Sequence, residues 1–292
     1  MLEAAAELGY VPNQAGRSLR KGTTGVVGFM MQTGAQITGE GDVFFMSVFD
    51  GVQTVFARHQ LDLVALLCSS EEDPDDYLQR IVARGFADAL IISATKRVDP
   101  RIEFLANRKI PFVALGRSET DAGQPWLDLD FAESYRKALA AHGIPFDPAL
   151  VFRAYPNERG GHQIAQSIAS MSKDQRPTGF VLTNEVMSVG LYRGLYDSGL
   201  EPGRDFAIIG RDSPHAHYLT PKLTCFRISL RDLGIARVLR TEVDRVVRDL
   251  GIALAEALLA TMPAYADQYR LGVVRRVVPM QLIEGDSDAP VR

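Results

Sequence analysis

The chain has 292 residues, 46% hydrophobic and 23% charged, with a formal net charge of −4. These totals describe an ordinary water-soluble globular protein, long enough for one large or two medium domains. They exclude nucleic-acid binding through bulk positive charge, and no run approaches the roughly 18 apolar residues a membrane span needs.

The first residues, Met1-Leu2-Glu3-Ala4-Ala5-Ala6-Glu7, lack the basic and apolar regions of a secretory leader, so a cytoplasmic location is expected. Gly9 is placed to end a short helix over residues 1–8. Pro12 pushes Val11 into an extended conformation. Asn13 then suits the N-cap of a second short helix, residues 14–20, stopped near Gly22. That helix is marginal alone. It falls below the roughly 12–15 residues at which isolated helices become marginally stable, and Gly16 costs a further ~1 kcal/mol relative to Ala. Arg17, Arg20 and Lys21 surround Leu19, the pattern of a segment that folds against a polyanionic partner. The same residues also suit an ordinary helix pair packed on a core.

From residue 24 the pattern becomes a strand–helix alternation. Residues 24–31 (TGVVGFMM) read as a buried parallel strand, and 34–42 as a glycine-rich loop at its carboxyl end. Residues 43–59 read as a helix, with Phe45, Val48, Phe49, Val52, Val55 and Phe56 at helical spacing. A strand is expected at 61–68, an acidic loop at 69–76 in which Pro74 after Asp73 suits a first helical position, a helix at 77–84, and a strand at 87–93. Then come a helix at 99–108, a strand at 111–115 and a short strand at 126–129. A second series follows: a helix at 131–142, a strand at 150–155, a helix at 158–171 opened by Asn157, and a strand at 179–183. It continues with a helix at 186–198 and a strand at 206–210. Residues 223–228 are expected to lead back to the first lobe, 269–283 to supply closing strands, and the rest to form a polar tail.

Such alternation argues α/β architecture with doubly wound parallel sheets and right-handed crossovers, here in two lobes. The expected division is residues 1–23 as an N-terminal appendage, 24–129 as the first lobe with a return segment near 226–262, 130–225 as the second lobe with closing strands near 269–285, and 286–292 as a tail. Ligands in such sheets sit beyond the carboxyl ends of the strands.

Nothing in the chain reads as a catalytic constellation. The five histidines form no metal pair at i, i+4, and His215 and His217 flank one residue of a loop beside Asp212. No Gly-x-Ser-x-Gly, Walker or Gly-x-Gly-x-x-Gly motif occurs. No enzyme activity, cofactor or metal is expected, and Cys68 and Cys225 are expected to be small buried hydrophobes. The candidate ligand contacts lie at strand ends. Asp212 can accept two hydroxyl hydrogen bonds from a sugar, and Asn184 can donate and accept. Asp42 has the same capacity, Phe44 or Phe45 can stack on a pyranose face, and Arg117 is a further polar candidate. For each, helix capping or core packing is the alternative.

Several segments carry a family resemblance. Leu8-Gly9-Tyr10-x-Pro12-Asn13 is followed by Ala15, Arg17-Ser18-Leu19-Arg20 and Gly22-Thr23. Further on come Gly41-Asp42-Val43-Phe44-Phe45, Phe86-Ala87-Asp88-Ala89-Leu90-Ile91-Ile92 and Ile110-Pro111-Phe112-Val113-Ala114-Leu115-Gly116-Arg117. Arg176-Pro177-Thr178 leads to Thr183-Asn184-Glu185, then Gly203-Arg204-Asp205-Phe206-Ala207-Ile208-Ile209-Gly210-Arg211-Asp212 and Leu219-Thr220-Pro221 follow. In this order, the set resembles the LacI/GalR (lactose-repressor) family of bacterial transcription regulators.

The resemblance implies a bilobed, periplasmic-binding-protein-like core that binds a sugar effector in the cleft between its lobes. It implies a homodimer acting on operator DNA, without a membrane partner. Asn13, Ala15, Arg17, Leu19 and Arg20 would then belong to the hinge, with Leu19 as the wedge entering the operator minor groove. Arg211 stands where the family more often has Phe, so a charge would replace part of an aromatic wall. A transporter's solute-binding protein shares the architecture and is the alternative.

Three departures stand out. The chain starts inside the expected headpiece, so the recognition helix that reads base edges is not expected in it. Roughly 25–35 family residues, about one strand–helix unit, have no counterpart near Asp130–Phe131. Arg231-Asp232-Leu233-Gly234-Ile235-Ala236 recurs as Arg248-Asp249-Leu250-Gly251-Ile252-Ala253, where the family has the motif once.

Overall fold

The computed structural model describes residues 22–33, 41–129, 131–213, 215–228, 243–269, 273–277 and 280–283. Asn13, Ala15, Arg17, Leu19 and Arg20 lie outside the described residues, as does the first copy of the repeated hexapeptide. The described residues fall into two compact units. One lies within Met1–Gln32, Val52–Trp126 and Leu254–Arg275, the other within Thr33–Gly51, Leu127–Ala253 and Arg276–Arg292.

The first unit is built on a sheet of order β2-β1-β3-β4-β5-β9. Its strands are β1 (Val26–Gln32), β2 (Asp62–Cys68), β3 (Ala89–Ile92), β4 (Phe112–Leu115), β5 (Trp126–Asp128) and β9 (Arg275–Val277). The β1–β2, β1–β3 and β3–β4 pairs are parallel, with Val27 opposite both Leu63 and Ala89. Helices α2 (Pro74–Ala83) and α3 (Pro100–Asn107) are crossovers of this sheet, and α1 (Gly41–Phe56), between β1 and β2 in the chain, is divided, with Gly41–Gly51 counted in the second unit and Val52–Phe56 in the first. Asp73 caps α2 and Asp99 caps α3, and each is followed by a proline, whose missing N–H would have no helical partner there. Met30, Leu66, Leu78, Leu90, Ile92, Ile102, Leu105 and Phe112 form the core, joined by the buried thiol of Cys68.

The entry to β1 is pinned. Asp88 accepts hydrogen bonds from Thr24 N (2.7 Å) on Oδ1 and from Gly25 N (2.8 Å) on Oδ2. Two backbone donors at the start of the sheet are thereby satisfied by one carboxylate.

The second unit contains α4 (Phe131–Ala141), α5 (Glu158–Ala169), β6 (Gly179–Val181), α6 (Glu185–Asp197), β7 (Ala207–Arg211), β8 (Thr224–Ile228) and β10 (Met280–Ile283). Its sheet runs β10-β8-β7-β6. The β6–β7 and β7–β8 pairs are parallel, and β10 is antiparallel to β8. The sheet is therefore mixed at one edge rather than wholly parallel. Helix α7 (Val243–Leu259) follows β8 in the chain. Ile164, Ile168, Leu182, Leu191, Leu195, Phe206, Ile208 and Leu223 form the core, with the second buried thiol, Cys225.

Helices α5 and α6 cross at glycines. A Cβ on Gly190 would fall inside the van der Waals shell of Glu158 O, and one on Gly161 inside that of Met187 O. Backbone meets backbone there, a separation no side chain permits.

Three expectations are corrected. Residues 150–155 form no strand: Pro148–Leu150 is a 3-10 turn, and Val151 N turns back to Pro148 O. Strands are specified by partners as much as by residue type, and this stretch has no sheet neighbour among the described residues. It lines a groove of about 590 Å³ with Gln163, Ile164 and Ser167 of α5. Residues 223–228 do not lead away from the second unit, because β8 sits between β7 and β10. The closing strands divide, β9 joining the first sheet and β10 the second.

Candidate functional site

The second unit gathers several polar groups at the carboxyl ends of β6 and β7. These strands are parallel neighbours, with Val181 opposite Ile209, so the residues that follow them emerge on the same edge of the sheet.

After β6 the chain turns into α6 at Asn184. Its Oδ1 accepts hydrogen bonds from Val186 N (3.1 Å) and Met187 N (3.2 Å), the N-cap arrangement. The capping alternative therefore holds for the carbonyl half of this amide. Glu185, the first residue of α6, is 5% exposed. An acidic residue in the first turn suits the positive end of the helix dipole.

Strand β7 ends in Arg211, whose Nη2 donates to Glu185 Oε1. The guanidinium carbon also lies 5.1 Å from the centre of the Phe44 ring, within cation–π range. Phe44 meets Phe45 edge-on with ring centroids 5.3 Å apart, and Phe45 lies 6.3 Å from Phe49 along α1. The charge expected to replace an aromatic wall instead stacks on one.

Asp212 follows at once and is buried. Its N–H donates to Phe226 O at 3.0 Å, the ladder bond that closes the Arg211–Phe226 pair of β7 and β8. Its Oδ1 is 3.4 Å from Nε2 of His217, in the 3-10 turn His215–Tyr218. Phe44, Phe45, Asn184, Arg211 and Asp212 thus all belong to the second unit. The side chain of Asp42 lies outside the described residues. Arg117 belongs to the first unit, where its guanidinium carbon is 5.9 Å from the Trp126 ring centre.

Sequence reasoning missed Glu185. The signal was an acidic residue beside an N-cap, which ordinarily means a solvated helix start; its burial against Arg211 depends on the β6–β7 pairing.

It also missed the first unit's main polar cluster. Asp99, fully buried, accepts from Arg101 Nε (2.9 Å) and Nη2 (2.6 Å) and from Lys96 N (3.0 Å). The same Nη2 donates to Ser93 O and Ala94 O, both at 3.2 Å, and so fixes the loop after β3, where Ala94 takes a φ of 51°. Burial pushes the Asp99 carboxyl up, but the bonds from Arg101 and the charge beside it outweigh burial and hold it below its ordinary range.

Carboxylates, an amide, an anchored guanidinium and an aromatic face suit hydroxyl recognition. Among the described residues no group of three His, Cys, Asp or Glu side chains is placed to hold a metal, and no helix is long and apolar enough to cross a membrane.

Comparison with known proteins gives a consistent result. Residues 102–287 match the periplasmic binding protein-like domain family. The chain is similar to the HTH-type transcriptional regulator AglR of Rhizobium meliloti, 28% identical over 287 residues, covering 85% of this chain and 79% of that protein. In structure it resembles the lac repressor dimer bound to operator and the anti-inducer ONPF, with TM-score 0.74 and 15% identity, over 99% of this chain and 88% of the other. It also resembles the transcriptional regulator CelR in complex with cellobiose, with TM-score 0.69 and 19% identity, over 98% and 88%.

Proposed function

We propose a function from the premise that this chain belongs to the periplasmic binding protein-like domain family and, within it, to the LacI/GalR transcriptional regulators. It is the effector-binding core of a cytoplasmic regulator, by this reading a repressor of carbohydrate use. A mono- or disaccharide binds at the carboxyl ends of β6 and β7, and the protein acts on operator DNA as a homodimer. Residues 13–20 serve as the hinge, with Leu19 as the minor-groove wedge and Asn13, Ala15, Arg17 and Arg20 as the other hinge residues. The sugar acts only through its differential affinity for two states of the protein, with ~1–3 kcal/mol of coupling typical of such systems.

The observation that carries this reading is the Phe44–Arg211 stack at the end of β7, where the buried Asp212 follows Arg211 in the chain. An acceptor-only group together with an aromatic face matches a pyranose, which presents hydroxyl donors at its rim and C–H groups on its faces. AglR and CelR, by their descriptions, are also transcriptional regulators, and CelR holds cellobiose.

A thermal-shift screen of mono- and disaccharides tests the reading. A ligand at 100 times its dissociation constant adds ~2.7 kcal/mol, a rise of several degrees. A flat response across the whole panel would overturn the assignment.

A further inference from the structure

Glu185 holds an unusual position. It is 5% exposed, and one carboxylate oxygen, Oε1, takes the hydrogen bond from Arg211. The other, Oε2, is buried with no hydrogen-bond partner among the described residues. A buried carboxylate oxygen without a donor is costly, and native proteins keep few of them. The guanidinium that meets Oε1 has five N–H donors in a fixed fork, and the same guanidinium stacks on Phe44. Asp212, which follows the last residue of β7, is a second buried carboxylate.

We infer that Glu185 is a ligand-contacting residue, and that its pairing with Arg211 makes the site select neutral polyhydroxyl ligands against sugar acids and sugar phosphates. The inference rests on the sugar-binding reading above and adds the class of sugar. Oε2 accepts a hydroxyl hydrogen bond from the ligand, which supplies the donor the protein leaves out. Arg211, held by Oε1 and by Phe44, presents remaining N–H groups to a ring or hydroxyl oxygen. A ligand carboxylate or phosphate would be drawn to the same guanidinium, but it would have to displace Glu185. That would leave the buried Glu185 carboxylate uncompensated. An unpaired buried charge in the competing complex is a strong discriminator. Read alone, Arg211 suggests an anionic effector; read with Glu185 and Asp212, it suggests the opposite.

The test is calorimetric titration of the protein with matched probes: glucose and galactose, glucuronate and galacturonate, and glucose 6-phosphate. In the unaltered protein a neutral sugar should bind at least tenfold more tightly than its acid counterpart. Glu185→Gln should weaken the neutral sugar about tenfold and strengthen the matched uronate, narrowing the ratio from both sides. A purely structural Glu185 would lower the melting temperature without moving that ratio. Tighter binding of the acids by the unaltered protein would overturn the inference and leave sugar binding standing, as would an unchanged ratio in Glu185→Gln. Absence of heat with every probe would overturn the inference together with the reading beneath it. The comparison within the unaltered protein decides the matter even if the variant fails to fold.

Discussion

The guanidinium carbon of Arg211 stands 5.1 Å from the centre of the Phe44 ring, joining the end of β7 to α1. Phe44 lies far from Arg211 in sequence, yet both belong to the second unit. The guanidinium that stacks on this aromatic face also holds the buried carboxylate of Glu185.

Breaking the ion pair from one side should be costly. Arg211→Met leaves Glu185 buried without its cation and should lower stability by about 3 kcal/mol at neutral pH, the scale for removing one partner of a buried pair. Arg211→Met combined with Glu185→Leu should recover most of that loss, since no uncompensated charge remains. Urea titrations of the unaltered protein, the single variants and the double variant give the coupling directly. Equal losses in Arg211→Met and the double variant would show that the pair contributes only its packing.

The helix crossing should tolerate no added atom. In Gly190→Ala the new methyl group meets the carbonyl oxygen of Glu158, and separating α5 from α6 would disturb the core of the second unit. A loss of about 3 kcal/mol is expected, the upper end of overpacking costs. Gly199→Ala, at a φ of 72° just past the end of α6 with open space around its Cβ, should cost about 1 kcal/mol through backbone strain alone. Melting temperatures that rank the two variants the other way would refute the close crossing.

The Asp99–Arg101 pair sets a pH dependence for the first unit. The Asp99 carboxyl is depressed in the folded protein from an ordinary value of 3.8. The folded state therefore binds its proton more weakly than the unfolded chain does. The stabilisation is fully present above about pH 4 and is lost as pH falls through the lower folded value. Asp99→Asn should cost about 3 kcal/mol at pH 7, because Arg101 stays buried. It should also flatten the loss of stability seen below pH 4. Denaturant midpoints between pH 7 and pH 2.5 measure both effects, and parallel curves for the two proteins would remove Asp99 as the source.

Much of the fold is legible in the residues because local chemistry and tertiary pairing agree. Asp73-Pro74, Asp99-Pro100 and Asn157 mark helix starts that the structure places at those residues. The valine-rich run that becomes β1 is apolar enough to be buried between β2 and β3. Residues 150–155 mislead because their apolar, β-branched character specifies a strand only where a neighbour supplies hydrogen bonds. Asp212 and Arg211 are visible as residues after an apolar run. Glu185 is not, because its burial comes from the parallel registry of β6 and β7, which no short stretch of sequence encodes. Asn184 is ambiguous in sequence, since a residue suited to ligand binding is also the residue type best suited to capping, and its carbonyl oxygen caps α6.

The most direct measurement is isothermal titration of the protein, and of its Asp212→Ala variant, with whichever sugar raises the melting temperature most. The expected result is a saturable heat with one site per chain in the unaltered protein. Asp212→Ala should keep its circular dichroism spectrum and show no such heat. Overlapping titration curves for the two proteins, or no saturable heat with any mono- or disaccharide, would contradict the assignment of a sugar site at the carboxyl ends of β6 and β7.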